Sequence, residues 1–144
     1  VRSRGLGDVY KRQELDCAKR ELQEEAGLAA EEWGVLVDLV TSPGFAEEAV
    51  RVFIARGLRE VDRPEAEDEE ADMRLSWVGL DDAAGKALAG EITNSIAVSG
   101  ILAAAHLLAS GASPRSVDEP FRFRPASLAN RRSAQGIVPD MKRI

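Results

Sequence analysis

Residues 20–28 read Arg-Glu-Leu-Gln-Glu-Glu-Ala-Gly-Leu, and this stretch constrains the fold more than any other in the chain. Glu21, Glu24 and Glu25 stand at positions i, i+3 and i+4, so on a helix their side chains lie on one face, one above the other. Gly27 is well placed to end that helix in a left-handed conformation, which costs a glycine little. Like charges this close repel, and the arrangement destabilises a helix unless a cation gathers them. Mg²⁺ and Mn²⁺ are hard cations that prefer oxygen, and Mg²⁺ is usually held by one or two carboxylates plus substrate phosphate. Taken alone, the segment is either a solvated acidic helix face or a metal site built on a helix.

The wider pattern separates these two. RELQEEAGL resembles the second half of the Nudix box, Arg-Glu-aliphatic-any-Glu-Glu-any-Gly-aliphatic, and agrees with it at all seven specified positions. The resemblance implies that Glu21 and Glu25 are the primary ligands of a divalent cation, Mg²⁺ or Mn²⁺, that bridges a diphosphate. It makes Glu24 an accessory ligand or a partner of Arg20, and it makes Arg20 and Gly27 structural supports of the box.

The front half of the box is missing. Counting back, its glutamate should fall at position 12 and its glycine at position 6, where the chain has Arg12 and Leu6. Residues 3–13 (SRGLGDVYKRQ) carry no periodic apolar pattern and resemble one reading frame of a transposon-type sequencing adapter. The expectation is that residues 1–13 are foreign to the gene, whose fragment begins at Glu14, and such segments are set aside in fold reasoning. The alternative is a genuine but divergent N-terminus.

A chain of 144 residues suffices for one domain with a single core. Apolar residues at 44% and charged residues at 31% are ordinary for a globular protein. A net charge of −6 argues against binding nucleic acid through its phosphates, which requires a basic surface. The single cysteine, Cys17, excludes an internal disulfide and is expected to be a small buried side chain. No apolar run approaches the roughly 20 residues that span a bilayer, so no membrane partner is expected and the default location is cytoplasmic.

Along the chain, residues 14–26 read as a helix with Leu15, Ala18, Leu22 and Ala26 on one side. Residues 35–41 (VLVDLVT) read as a buried strand, and Ser42-Pro43-Gly44 as a turn. Residues 48–58 read as a second strand, with Val50, Val52 and Ile54 on one face and Arg51 and Phe53 on the other. Six of the eight residues 65–72 are acidic and suit an exposed loop. Residues 73–80 (MRLSWVGL) read as a third strand. Asp81 is expected to cap a helix running to about residue 89, and Thr93 or Asn94 a longer one over 95–109. Residues 14–110 thus form a partial domain, and 111–144, rich in Gly, Ser, Pro and Arg, an irregular tail. The expected class is α/β: a Nudix-type α/β/α sandwich with a mixed sheet that lacks the family's first strands.

Within the family, a proline about fifteen residues past the box marks a resemblance to ADP-ribose pyrophosphatases; Pro43 lies fifteen past Leu28. TSPGFAEEAVRVFIARGL, EDEEADM and GEITNSIAVSGILAAAH are similar to bacterial, especially actinobacterial, members of that subfamily. This likeness implies attack of water on a phosphorus of ADP-ribose, giving AMP and ribose 5-phosphate, with a base on a loop outside the box. Glu70 best fits that base and Glu69 is one register away, while a merely solubilising loop explains the same residues without chemistry. Arg51 is a candidate phosphate contact, and Ser42, Gly44 and Phe45 candidate borders of the terminal ribose, although a surface arginine and turn formation account for them equally. His106, Trp33 and Trp77 are expected to be structural. The intact parent is expected to be a homodimer. The rival functions are a Nudix hydrolase of another nucleoside diphosphate derivative, such as a nucleotide sugar or dinucleoside polyphosphate, and a non-catalytic Nudix-like binding module or inert fragment.

Overall fold

A computed structural model describes residues 6–42, 48–63 and 75–122, with side chains from residue 14 onward. Five elements follow in order: α1 (Leu6–Ala26), β1 (Leu28–Val40), β2 (Ala49–Glu60), α2 (Leu80–Leu88) and α3 (Ser95–Ser110). The fold is α/β. Among the described residues its sheet is the antiparallel pair β1–β2.

Gly27 is the hinge between helix and sheet. Its φ of +64° ends α1, and β1 starts at the next residue, seven positions earlier than the apolar run alone suggests. The ladder begins with Leu28 opposite Glu60 and runs to Val40 opposite Ala49. It slips by one residue between Val35 and Val37, a bulge that leaves Leu36 without a direct partner. The pattern of β2 holds. Gly100 of α3 lies over Val52, so closely that a methyl group there would come within 3.3 Å of Val52 Cγ1. Trp33 and Phe53 meet edge to face, with centroids 6.3 Å apart, and Trp33 is half-buried, as a structural role requires.

The core centres on Leu28 and Val35, the latter fully excluded from solvent. Val35 is held on two sides: Phe53 faces it in the ladder, and on its other edge its backbone exchanges hydrogen bonds of 2.8 and 3.1 Å with Arg115. Residues 111–122 carry no helix or strand, yet this bridge and the side chains described below fix them on β1.

Three expectations change. Residues 75–79 pair with no described strand, and Leu75, Trp77 and Val78 are 61, 75 and 51% exposed; of the two structural roles expected for Trp77, core or interface, the core is ruled out among the described residues. The N-cap of α2 is Gly79 rather than Asp81, which instead lies with Asp82 in the first turn, where the helix dipole favours acids. Cys17 is exposed, since it shares the polar side of α1 with Arg20 and Glu21. For α3, Asn94 is the cap: its side chain accepts a 3.0 Å bond from the Ala97 amide.

Candidate functional site

The acidic helix places its carboxylates as the spacing dictates. Glu21 and Glu25 are exposed one turn apart, and Glu24 between them is half-buried. Arg20 serves two of the three. Its Nε lies 3.6 Å from Glu24 Oε2 and its Nη2 3.5 Å from Glu21 Oε1. The Glu24 carboxylate, and then Cys17 and Glu21, hold the Arg20 guanidinium charged even more firmly than usual. Contacts this long and exposed are weak and yield readily to a stronger charge. Glu25 has no protein partner among the described residues, so its oxygens are available to a ligand.

Among the described residues no three His, Cys, Asp or Glu side chains converge as a ready-made cation cage. The donor chemistry nevertheless fits a hard cation. Two exposed carboxylates one turn apart supply the share of oxygens that Mg²⁺ usually takes from protein, and the open positions suit water and phosphate oxygens.

The C-terminal turn of α1 is tied to the exit of β2. The Val61 amide donates to Gly27 O at 2.9 Å, Gln23 Nε2 donates to Asp62 O at 3.0 Å, and Arg63 Nε donates to Glu24 O at 2.7 Å. A side chain at Gly27 would meet only ordinary contacts, 3.5 Å from Val61 O and 3.6 Å from Arg63 Cβ, so its positive φ and not space demands glycine there.

Arg51 is placed differently from the expectation of a phosphate contact. Its side chain is only 4% exposed and grips Asp38 through Nε and Nη2, while Nη1 donates to Glu119 O at 2.7 Å. Phe121 stacks on the guanidinium at 4.7 Å. Arg115 adds a second cation to Asp38 at 3.0 Å and pairs with Glu119 at 2.7 Å. Both arginines hold the Asp38 carboxyl below the usual range, Arg51 foremost, against the opposing effect of burial. With its donors spent inside the fold, Arg51 is an internal strut.

Ser42 is exposed at the end of β1, and Thr41 and Glu48 join the flanks of the following connection through both backbone and side chains. Gly44, Phe45, Glu69 and Glu70 lie outside the described residues. His106 is exposed on α3. Sequence reasoning missed the roles of Asp38, Gln23, Arg63 and Arg115. Asp38 carried a signal, being a lone carboxylate inside an apolar strand; the others carried none.

Among the described residues no helix is long and apolar enough to cross a membrane.

Comparison with known proteins extends these observations. The model of the NUDIX domain matches residues 6–96, more than half of the chain. An ADP-ribose pyrophosphatase of Mycobacterium tuberculosis is 50% identical over 129 residues, covering 90% of this chain and 62% of that protein. A match of that length reaches past residue 110 wherever it begins, so the segment carrying Arg115 lies inside it. An ADP-ribose pyrophosphatase of Bacillus subtilis is 39% identical, and a methanol dehydrogenase activator of Bacillus methanolicus 38% identical, each over 66 residues that make up 46% of this chain and 36% of the relative. The chain thus spans less than two thirds of the length of these relatives. With the domain matched across the box helix and both strands, the chain belongs to the Nudix family.

Proposed function

We propose that the chain carries the hydrolytic site of a metal-dependent ADP-ribose pyrophosphatase, which adds water across the diphosphate of ADP-ribose to give AMP and ribose 5-phosphate. The observation that carries this reading is the pair Glu21 and Glu25, exposed one turn apart on a helix anchored at its C-terminal end. Two relatives named ADP-ribose pyrophosphatase support the choice of substrate.

Glu21 and Glu25 would hold Mg²⁺ or Mn²⁺, which when bound neutralises the diphosphate and polarises the attacked phosphoryl group. Glu24 keeps Arg20 beside the helix, the alternative to its being an accessory ligand. The carboxylate that orients or deprotonates the water is assigned to Glu70, with Glu69 its neighbouring alternative. Ser42, Gly44 and Phe45 remain assigned to the border of the terminal ribose. The same proposal includes a homodimer in the cytoplasm, with no nucleic acid among its partners. The exposed Leu75, Trp77 and Val78 form apolar surface that a second copy would cover.

The test is incubation with ADP-ribose and Mg²⁺ or Mn²⁺, with AMP and ribose 5-phosphate measured separately, beside a panel of nucleotide sugars and dinucleoside polyphosphates. Metal-dependent release of both products from ADP-ribose, nearly abolished by Glu25→Gln, is the expected result. A protein that binds ADP-ribose yet never cleaves it with either metal sinks the enzymatic reading. Preferential cleavage of another panel member reassigns the substrate while keeping the metal helix.

A further inference from the structure

We propose that Arg63 and Gln23 are positioning residues for the ligand carboxylate Glu25, an inference that rests on α1 being the cation-binding helix. Glu25 is the last residue but one of α1. Helix ends fray, and the final four carbonyls have no partners within the helix. The negative end of the dipole also disfavours acids there, yet the last turn carries Glu24 and Glu25 and no basic residue. A cation ligand placed on such a turn would wander, whereas binding sites need their first ligands held to within about 0.5 Å.

Three consecutive residues leaving β2 correct this. Val61, Asp62 and Arg63 bond in turn to Gly27, Gln23 and Glu24, the first through the backbone and the other two through the Gln23 and Arg63 side chains, so the exit of β2 is tied to the end of the helix. Arg63 contributes twice: its Nε satisfies the Glu24 carbonyl at 2.7 Å, and its guanidinium supplies the positive charge that the last turn lacks. Gln23 occupies a position that the box pattern leaves open, and here its amide reaches 3.0 Å to Asp62 O. Both side chains are exposed, so their bonds are not demanded by burial. Arg63 thereby fixes the peptide unit that leads into Glu25, and Gln23 ties the residue two positions before Glu25 to the exit of β2.

The experiment titrates Mn²⁺ alone into the full chain, without substrate, and follows free Mn²⁺ by electron paramagnetic resonance, with a melting curve for each variant. Lys86→Ala, which removes a 2.8 Å surface pair with Glu91 far along the chain, is the control. Glu25→Gln should weaken binding at least tenfold. Arg63→Ala and Gln23→Ala should each weaken it about fivefold, the scale of one lost hydrogen bond. Arg63→Lys, which keeps the charge, should fall between, and Lys86→Ala should bind as the wild type does. If Arg63→Ala melts below the assay temperature, Gln23→Ala and Arg63→Lys decide by the same criterion. Wild-type affinity in the Arg63 and Gln23 variants, with Glu25→Gln impaired, overturns the positioning role and leaves the metal helix standing. Absence of Mn²⁺ binding by the wild type, or binding indifferent to Glu25→Gln, overturns both.

Discussion

Arg51 and Asp38 face each other across the β1–β2 ladder, joined by two near-parallel hydrogen bonds, Nε to Oδ1 at 2.8 Å and Nη2 to Oδ2 at 3.0 Å. The pair is almost wholly desolvated, with side chains 4 and 10% exposed. Removing one partner leaves a buried charge without compensation, which costs about 3–5 kcal/mol. Asp38→Asn should therefore destabilise the chain by about 3 kcal/mol in urea denaturation. Replacing both partners with Leu and Met should cost clearly less than the two single changes added together, because no orphan charge remains.

The same carboxylate sets an acid limit to stability. Its folded pKa lies below its ordinary value of 3.8, chiefly because Arg51 bonds to the charged form. A group depressed on folding contributes its stability above the unfolded value and loses it as pH falls through the folded one. As far as Asp38 is concerned, denaturation midpoints should thus not change with pH near neutrality and should drop once pH passes below about 3.8, the unfolded value. In Asp38→Asn this part of the drop should vanish. An unchanged acid limb in that variant would show that other carboxylates set the limit.

Much of this arrangement was legible in the chain. The helix, its glycine stop and the face shared by Glu21 and Glu25 follow from spacing alone, because helical geometry is local. The alternation of β2 correctly put Arg51 opposite Val50 and Val52. What spacing does not encode is which distant residue arrives at a given face. Arg51 has a polar partner only because β1 brings Asp38 opposite it and residues 115–121 fold back over both. Residues 75–79 failed as a strand for the same reason: β propensity needs a neighbouring ladder to act on.

Gly34 illustrates a contact of that non-local kind. It is buried beside Val35, and a β-carbon there would lie 2.5 Å from Pro114 Cγ and 2.6 Å from Pro114 Cβ. A rigid proline ring cannot yield as a flexible side chain can. Gly34→Ala should push residues 114–115 off β1, breaking the two backbone bonds between Val35 and Arg115. Overpacking of this order costs about 1–3 kcal/mol. Hydrogen exchange should show the Val35 and Arg115 amides losing protection together, while the β1–β2 ladder away from them keeps its own.

The three box glutamates should separate in kinetics according to their surroundings. Glu25 has no protein partner among the described residues, and Glu21 has only long exposed contacts, to Arg20 at 3.5 Å and to Cys17 Sγ at 3.9 Å, so both are available to a cation. Glu24 is half-buried and shares the Arg20 guanidinium at 3.6 Å. A lost metal ligand removes several kcal/mol of transition-state stabilisation, or about two to three powers of ten in rate. Glu21→Gln and Glu25→Gln should each lower kcat/KM on ADP-ribose by that amount and raise the metal concentration needed for half-maximal rate. Glu24→Gln should lower it by only about tenfold, since its carboxylate acts largely through Arg20, an exposed pair of modest worth. Arg20→Ala should then reproduce most of the Glu24→Gln loss, and the double variant should be little worse than either alone. Losses that multiply in the double variant would instead make Glu24 a ligand in its own right.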